Sequence, residues 1–109
     1  MYKNLGTIRK DNLSYLIDYQ YGSQSTLAAC IKYYDLSQPT LSDILRSKRS
    51  FHTYEARVIE KNLILPHLWM DKDFWLKDGW ELVEEYRKLT ESQQNVFNKV
   101  AQLVESKCT

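Results

Sequence analysis

The chain has 109 residues and a formal net charge of +1, with 27% charged and 13% aromatic residues. This length suffices for one domain whose core needs no disulfides. Three glycines, two prolines and few alternating apolar runs predict an all-α fold. Because no apolar run is long enough to span a bilayer and the first residues form no signal segment, we expect a soluble, cytoplasmic protein.

The charge is distributed unevenly along the chain. Residues 1 to 70 carry nine Lys or Arg against six Asp or Glu, whereas residues 71 to 109 carry six against eight. Within the first part, several cationic residues lie close together in the sequence, and Glu55 is the one acid among them. They are Arg46, Lys48, Arg49 and Arg57, with His52. Such a local basic patch favours an anionic partner despite the near-neutral total.

The first predicted helix covers residues 7 to 20 and begins at Thr7 or a neighbour. Its apolar spacing predicts a buried stripe of Ile8, Leu13, Leu16 and Ile17. Gly22 ends it because glycine adopts a left-handed backbone, and Ser23 caps the next helix.

Two short helices with a tight connection follow. The first covers residues 24 to 33 and buries Leu27, Ala28, Ile31 and Tyr34. The second covers residues 38 to 46 behind Ser37 as N-cap, with Pro39 in the first turn, where its missing N–H costs nothing. Its inner face is Leu41, Ile44 and Leu45, and its outer face is Gln38, Pro39, Ser42, Asp43 and Arg46. The pattern predicts a helix packed from behind with a polar front.

A fourth helix is predicted over residues 54 to 62, capped by Thr53 and buried through Ala56, Ile59 and Leu63. Leu65 and Pro66 close it, and Trp69 is expected to cover the core.

A fifth helix is predicted from Gly79, capped by Asp78, with an apolar stripe of Leu82, Val83, Tyr86 and Leu89. Thr90 and Gln93 have capping-box spacing and begin a last helix that runs to about residue 106. One face of that helix is Val96, Phe97, Val100, Leu103 and Val104. This stripe must either fold back onto the preceding helices or pair with a second copy of the chain, and we expect the latter.

Signals of catalysis are weak. His52 and His67 are far apart, and the chain has neither metal-ligand spacing nor a glycine-rich phosphate loop. Cys30 and Cys108 are expected to be free thiols, with Cys30 in the core, and the adjacent Glu84 and Glu85 point to different sides of their helix. We therefore expect no enzyme, no metal and no cofactor.

Three stretches together resemble a known family. They are residues 8 to 21 leading into GSQSTLAA, then LSQPTLSDIL with RSKRSF, and then EARVIEKNLILPHLWMD. Over residues 7 to 71 the chain resembles the lambda-repressor-like (Cro/C1, XRE) helix-turn-helix regulators, particularly short phage and prophage repressors. The resemblance implies a bundle of about five helices with a C-terminal helical extension. It divides the chain into a DNA-binding domain, 1 to 71, and a dimerisation or partner-binding region, 72 to 109.

Two features depart from the family's pattern. The family has one residue, commonly Gly, where this chain has residues 32 to 35, so the helix before the turn is longer or the turn is wider. Ser47 occupies a loop position where the family often has Gly.

The resemblance implies that the helix after the turn reads base edges in the major groove. Gln38 is the first candidate because its amide both donates to and accepts from adenine, and the full set is Gln38, Pro39, Thr40, Ser42 and Asp43. Phosphate contacts are expected from Gln24, Ser25, Ser37, Arg46, Lys48 and Arg49. The alternative is an ordinary solvated face, with the serines as caps and the cations as soluble loop residues. Arg57 is expected to pair with an internal carboxylate, Glu60 or Asp18.

These features predict a repressor that binds an inverted repeat of double-stranded DNA as a homodimer through Val96, Phe97, Val100, Leu103 and Val104. The alternative is a protein-binding adaptor, antitoxin or inhibitor that reuses the fold and acts through residues 72 to 109. Its motivation is a possible exposed aromatic patch of Phe74, Trp75, Trp80 and Tyr86, which could equally pack onto the helical domain.

Overall fold

A computed structural model describes residues 4–32, 36–73 and 76–108, without the side chains of residues 76–78 and 102–108. The described residues form helices and no strands, which confirms the predicted all-α class. The α-helices of this part of the chain are, in order, α1 (Leu5–Tyr15), α2 (Gln24–Ile31), α3 (Gln38–Leu45), α4 (Thr53–Leu63), α5 (Leu76–Arg87) and α6 (Glu91–Cys108). A π-helical turn, Leu16–Tyr21, follows α1, and a 3₁₀ turn, Trp69–Asp71, follows α4.

Helix α1 begins two residues earlier than predicted. Its N-cap is Asn4, whose side-chain oxygen accepts from the Thr7 N–H at 2.8 Å, so the helix begins at Leu5 and not at Thr7. The predicted end is confirmed, because Gly22 is left-handed at φ 87° and donates to the Ile17 carbonyl. Ser23 caps α2 as predicted by accepting from the Thr26 N–H at 3.1 Å.

Helix α2 does not extend into the connection that precedes α3. Helix α2 ends at Ile31, not at residue 33, because Lys32 adopts a left-handed backbone with φ 57°. Helix α3 begins at Gln38 behind Ser37, as predicted, although the Ser37 hydroxyl reaches Thr40 Oγ1 (3.3 Å) instead of a helix amide. Tyr34, predicted to face inward, lies outside the described residues.

Two predicted helix starts are wrong. The N-cap of α4 is His52 rather than Thr53, because the Glu55 carboxylate accepts from the His52 backbone N–H at 2.9 Å. Helix α5 begins at Leu76 rather than at residue 79. The capping box before α6 is confirmed, since Thr90 and Gln93 exchange side-chain to backbone hydrogen bonds of 2.9 and 3.2 Å.

One hydrophobic core joins α1 to α4 and receives α5. Its fully buried side chains include Leu13, Leu16, Leu27, Ile31, Leu36, Leu41 and Ile59. Five residues of the predicted stripes are only half-buried, namely Ile8, Ala28, Leu45, Leu82 and Leu89. Cys30 is exposed, so its predicted place in the core is wrong.

Trp69 covers this core, as predicted. Only 2% of its surface is exposed, and its indole N–H donates to the Gly79 carbonyl at 2.9 Å. Trp80 packs against it edge-to-face, with centroids 6.3 Å apart, and Tyr86 is buried. Contacts therefore cross the predicted boundary at residue 71, which itself stays a prediction.

Candidate nucleic-acid interface

The first residues of α2 and α3 are joined through their side chains. Gln38 Nε2 donates to Gln24 Oε1 at 2.8 Å, although the two residues are 14 positions apart. Gln38 is exposed and Gln24 is half-buried. The pair leaves the Gln38 carbonyl oxygen, one Gln38 N–H and both Gln24 N–H groups for a further partner. Ser25 and Ser37, beside them, are exposed.

The residues on the outer face of α3 differ more in solvent exposure than the sequence predicts. Leu41 and Ile44 are buried and fix the helix from behind. On the front, Gln38 and Pro39 are exposed, whereas three other predicted base-contact residues are half-buried, namely Thr40, Ser42 and Asp43. The N-terminal end of α3 is therefore its most accessible part.

Two unpaired cations follow α3. Arg46 and Lys48 are exposed, and within the described ranges 4–32, 36–73 and 76–108 no carboxylate forms a salt bridge with either. The backbone N–H groups of Ser47 and Lys48 donate back to the Ile44 and Asp43 carbonyls at 3.1 and 2.8 Å. Any anion at this end of α3 would therefore be held by side chains.

Arg49 differs from these two cations because it has a buried partner. Its Nη2 donates to Glu55 Oε2 at 2.6 Å, and the Glu55 side chain is fully buried. A third of the Arg49 side chain stays exposed, but much of its charge is balanced by Glu55. The sequence offers one signal for this pair, since Glu55 is the sole acid within the basic patch.

Arg57 points inward, and its predicted pairing is confirmed for Glu60 but not for Asp18. Its guanidinium lies 3.1 Å from Glu60 and 2.7 Å from Asp71. Arg9 approaches Asp71 from α1 with two hydrogen bonds of 2.7 and 3.1 Å. The basic patch of the sequence is thus divided, and Arg57 belongs to the interior.

The two carboxylates of this network have shifted pKa values. Burial acts to raise the pKa of Asp71, but the hydrogen bond from Arg9 and the charge of Arg57 outweigh it, so that the pKa is lowered. Burial raises the pKa of Glu60 to about 7, although the Met70 and Leu68 N–H groups and Arg57 act against the shift.

Lys10 is a cation of this surface that the sequence analysis missed. Its Nζ donates to Ser47 Oγ at 2.8 Å, which places it beside Arg46 and Lys48. Because 37 residues separate Lys10 from Ser47, neither spacing nor local charge in the sequence signals this proximity.

The described part of the apolar face of α6 is largely exposed, although the Phe97 ring packs edge-to-face against Tyr86 with centroids 5.5 Å apart. Val96 and Val100 are 61% and 52% exposed, and Phe97 is exposed as well. With Leu89, Ser92 and Gln93 they line an open groove of about 520 Å³. The side chains of Leu103 and Val104, predicted to extend this face, lie outside the description.

The two described residues of the predicted aromatic patch, Trp80 and Tyr86, pack inside the protein. Trp80 packs against Tyr15 and Trp69 at centroid distances of 6.1 and 6.3 Å, and the Arg87 guanidinium covers it at 5.0 Å. Tyr86 is buried, and Phe74 and Trp75 lie outside the described residues. For Trp80, packing onto the helical core is the correct interpretation, whereas Tyr86 is buried against α6, where its ring packs on Phe97 and its hydroxyl accepts from the Asn98 side chain at 2.9 Å.

Two further properties of the described residues bear on the kinds of site that they form. Over the residues that the structure describes, no helix is both long and apolar enough to cross a membrane. The same residues contain no group of three or more His, Cys, Asp or Glu side chains placed to hold a metal ion. Comparisons with family models, curated proteins and solved structures find no match to this chain.

Proposed function

We propose that the protein is a sequence-specific DNA-binding transcriptional regulator of the lambda-repressor-like helix-turn-helix type, acting as a phage or prophage repressor. The observation that carries the proposal is the hydrogen bond between Gln38 and Gln24. It fixes two amide side chains at the adjoining N-terminal ends of α2 and α3, where α3 is most accessible. A recognition helix contacts base edges with its N-terminal residues.

The free groups of this pair suit the two kinds of contact that DNA offers. Gln38 keeps one N–H donor and its carbonyl acceptor, which is the bidentate pattern that adenine matches in the major groove. Gln24 keeps two N–H donors beside the free amides of the first turn of α2, where the helix dipole favours an anion. Gln38 therefore reads a base while Gln24 holds the adjacent phosphate.

The other predicted contacts follow from their exposure. Pro39 presents an apolar surface to a thymine methyl group, and Asp43 accepts from cytosine N4. Arg46 and Lys48 bind phosphate, because the described part of the chain gives their charges no carboxylate. Arg49 contributes less than either, because Glu55 shares its guanidinium.

The largely exposed apolar face of α6 supports a homodimer. A second copy packed against Val96, Phe97 and Val100 removes apolar surface from water, at about 25 cal/mol per Å². In this proposal the dimer binds an inverted repeat whose half-sites lie about one helical turn apart, roughly 34 Å.

The alternative function is a protein-binding adaptor, antitoxin or inhibitor that acts through residues 72 to 109. The same observation favours it, because Val96, Phe97 and Val100 could receive a different protein instead of a second copy. Trp80 and Tyr86 give it no support, since Trp80 packs onto the core and Tyr86 is buried against α6.

Fluorescence anisotropy against DNA from upstream of the protein's own gene tests the proposal. We expect the wild type to prefer this duplex over a shuffled one by at least about a thousandfold. Gln38→Ala should lose about 1–3 kcal/mol of discrimination at one base position. Asn62→Ala is a matched control, because it removes an exposed amide side chain from α4, outside the proposed contact residues, where the amide donates to the Val58 carbonyl of its own helix.

Two results would contradict the proposal. Equal, weak binding of the native and shuffled duplexes would exclude sequence recognition and favour the protein-binding alternative. Unchanged base preference in Gln38→Ala would remove Gln38 from the base contacts even if the regulator function held.

A further inference from the structure

We propose that Lys10 and Ser47 together form a phosphate-binding pair at the end of α3 opposite to Gln24. The inference rests on the proposed DNA-binding function and extends it with a contact from α1, a helix outside the α2–α3 pair. In the sequence, Ser47 is an ordinary loop residue. The inference gives it a direct part in binding.

The chemistry of the pair suits an anion. Lys10 Nζ donates to Ser47 Oγ at 2.8 Å, and no carboxylate in the described part of the chain forms a salt bridge with Lys10. A hydroxyl that accepts from an ammonium keeps its own proton to donate, and the ammonium keeps two further N–H groups. The pair thus presents a full positive charge beside a hydroxyl donor. Both groups can donate hydrogen bonds to a phosphate oxygen, and the bond from the ammonium is charge-assisted.

The backbone of Ser47 supports a role for its side chain. Ser47 has φ 61°, a left-handed conformation that costs a residue with a side chain roughly 1–2 kcal/mol and costs glycine nothing. Its own N–H donates to the Ile44 carbonyl, so the loop gains no free amide from this conformation. What serine supplies here and glycine lacks is the hydroxyl that meets Lys10.

The distance along α3 matches the dimensions of the groove. From Gln38 to Arg46 the helix rises about 12 Å, at about 1.5 Å per residue. The major groove of B-DNA is about 12 Å wide. Gln24 and the Lys10–Ser47 pair lie beside the two ends of α3, so in this proposal they contact different phosphates.

Salt titration of binding to the native and shuffled duplexes tests the pair. Lys10→Gln removes the charge but keeps a long polar side chain on α1. We expect it to weaken binding of both duplexes and to reduce the slope of log K against log salt by about 0.9. Lys61→Gln is the matched control, because Lys61 is exposed on α4, at the cleft facing α6, and should leave the slope unchanged.

A second variant separates the hydroxyl from the charge. Ser47→Gly favours the same left-handed backbone and removes the hydroxymethyl side chain without changing the charge, so we expect a few-fold weaker binding with an unchanged salt slope. If the wild type prefers the native duplex while Lys10→Gln keeps the wild-type slope, the pair is wrong and the proposed function stands. If the wild type binds neither duplex even at low salt, the proposed function and this inference both fail.

Discussion

Arg9 and Lys10 are adjacent on α1 and have opposite environments. Arg9 is 5% exposed, with both of its hydrogen bonds to Asp71 made inside the protein. Lys10 lies on the surface against a neutral hydroxyl. A step of one residue turns a helix by about 100°, which separates an internal cation from an external one. Net charge cannot distinguish the two, because each counts as +1.

The same division applies to the cations after α3. Arg57 is bound by Glu60 and Asp71, and Arg49 by Glu55, so these side chains compensate buried carboxylates. Arg46 and Lys48, like Lys10, have no such partner among the described residues. Cations of the first kind stabilise the fold, and those of the second kind remain for a ligand.

Removing a carboxylate from the internal ion-pair network should have the largest effect on stability. Asp71→Asn leaves the Arg9 and Arg57 guanidinium groups without their shared charge, in a site where the Arg9 and Asp71 side chains are 6% and 15% exposed. We expect the free energy of unfolding to fall by about 3–5 kcal/mol, the usual cost of breaking a buried ion pair. Urea denaturation followed by circular dichroism measures it.

The control for Asp71 is a carboxylate in an exposed pair. Glu85 lies 3.0 Å from Lys88, and both side chains are 71% exposed. Glu85→Gln should change the free energy of unfolding by less than about 1 kcal/mol. Similar effects of the two substitutions would show that the internal network does not stabilise the fold.

Arg49 tests the boundary between the two kinds of cation. Arg49→Ala leaves the fully buried Glu55 carboxylate without its cation, although the His52 N–H still donates to it. We expect a loss of about 1–3 kcal/mol of unfolding free energy, within the range for a buried acceptor that loses a partner. The slope of DNA binding against salt should change less than in Lys48→Ala. A full loss of one phosphate contact with unchanged stability would instead place Arg49 with the external cations.

Local patterns in the sequence predict much of the fold. Helical spacing identified the buried faces through Leu13, Leu27 and Ile59, and side-chain capping identified the starts of α2 and α6. These predictions succeed because the interactions lie within about one helical turn.

The sequence could not predict features that depend on distant residues. Lys32, Ile64 and Leu68 end helices or begin turns with left-handed backbones that no glycine marks. The contact from Arg9 to Asp71 spans 62 residues, so the division of the basic patch follows only from tertiary packing. The Gln24–Gln38 hydrogen bond is an intermediate case. The family resemblance points to both residues as DNA contacts, but it does not predict that they bond to each other.

Removing the surface cations should have the smallest effect on stability. Lys10→Gln, Arg46→Gln and Lys48→Gln each remove a surface charge without a carboxylate partner among the described residues, so each should change the free energy of unfolding by less than about 0.5 kcal/mol. The triple variant should be as stable as the wild type or slightly more so, since it relieves repulsion among neighbouring cations. Urea denaturation and salt-dependent anisotropy on the same preparations separate the outcomes. Loss of DNA binding with full stability would place these charges in the ligand site, whereas parallel loss of both would make them part of the fold.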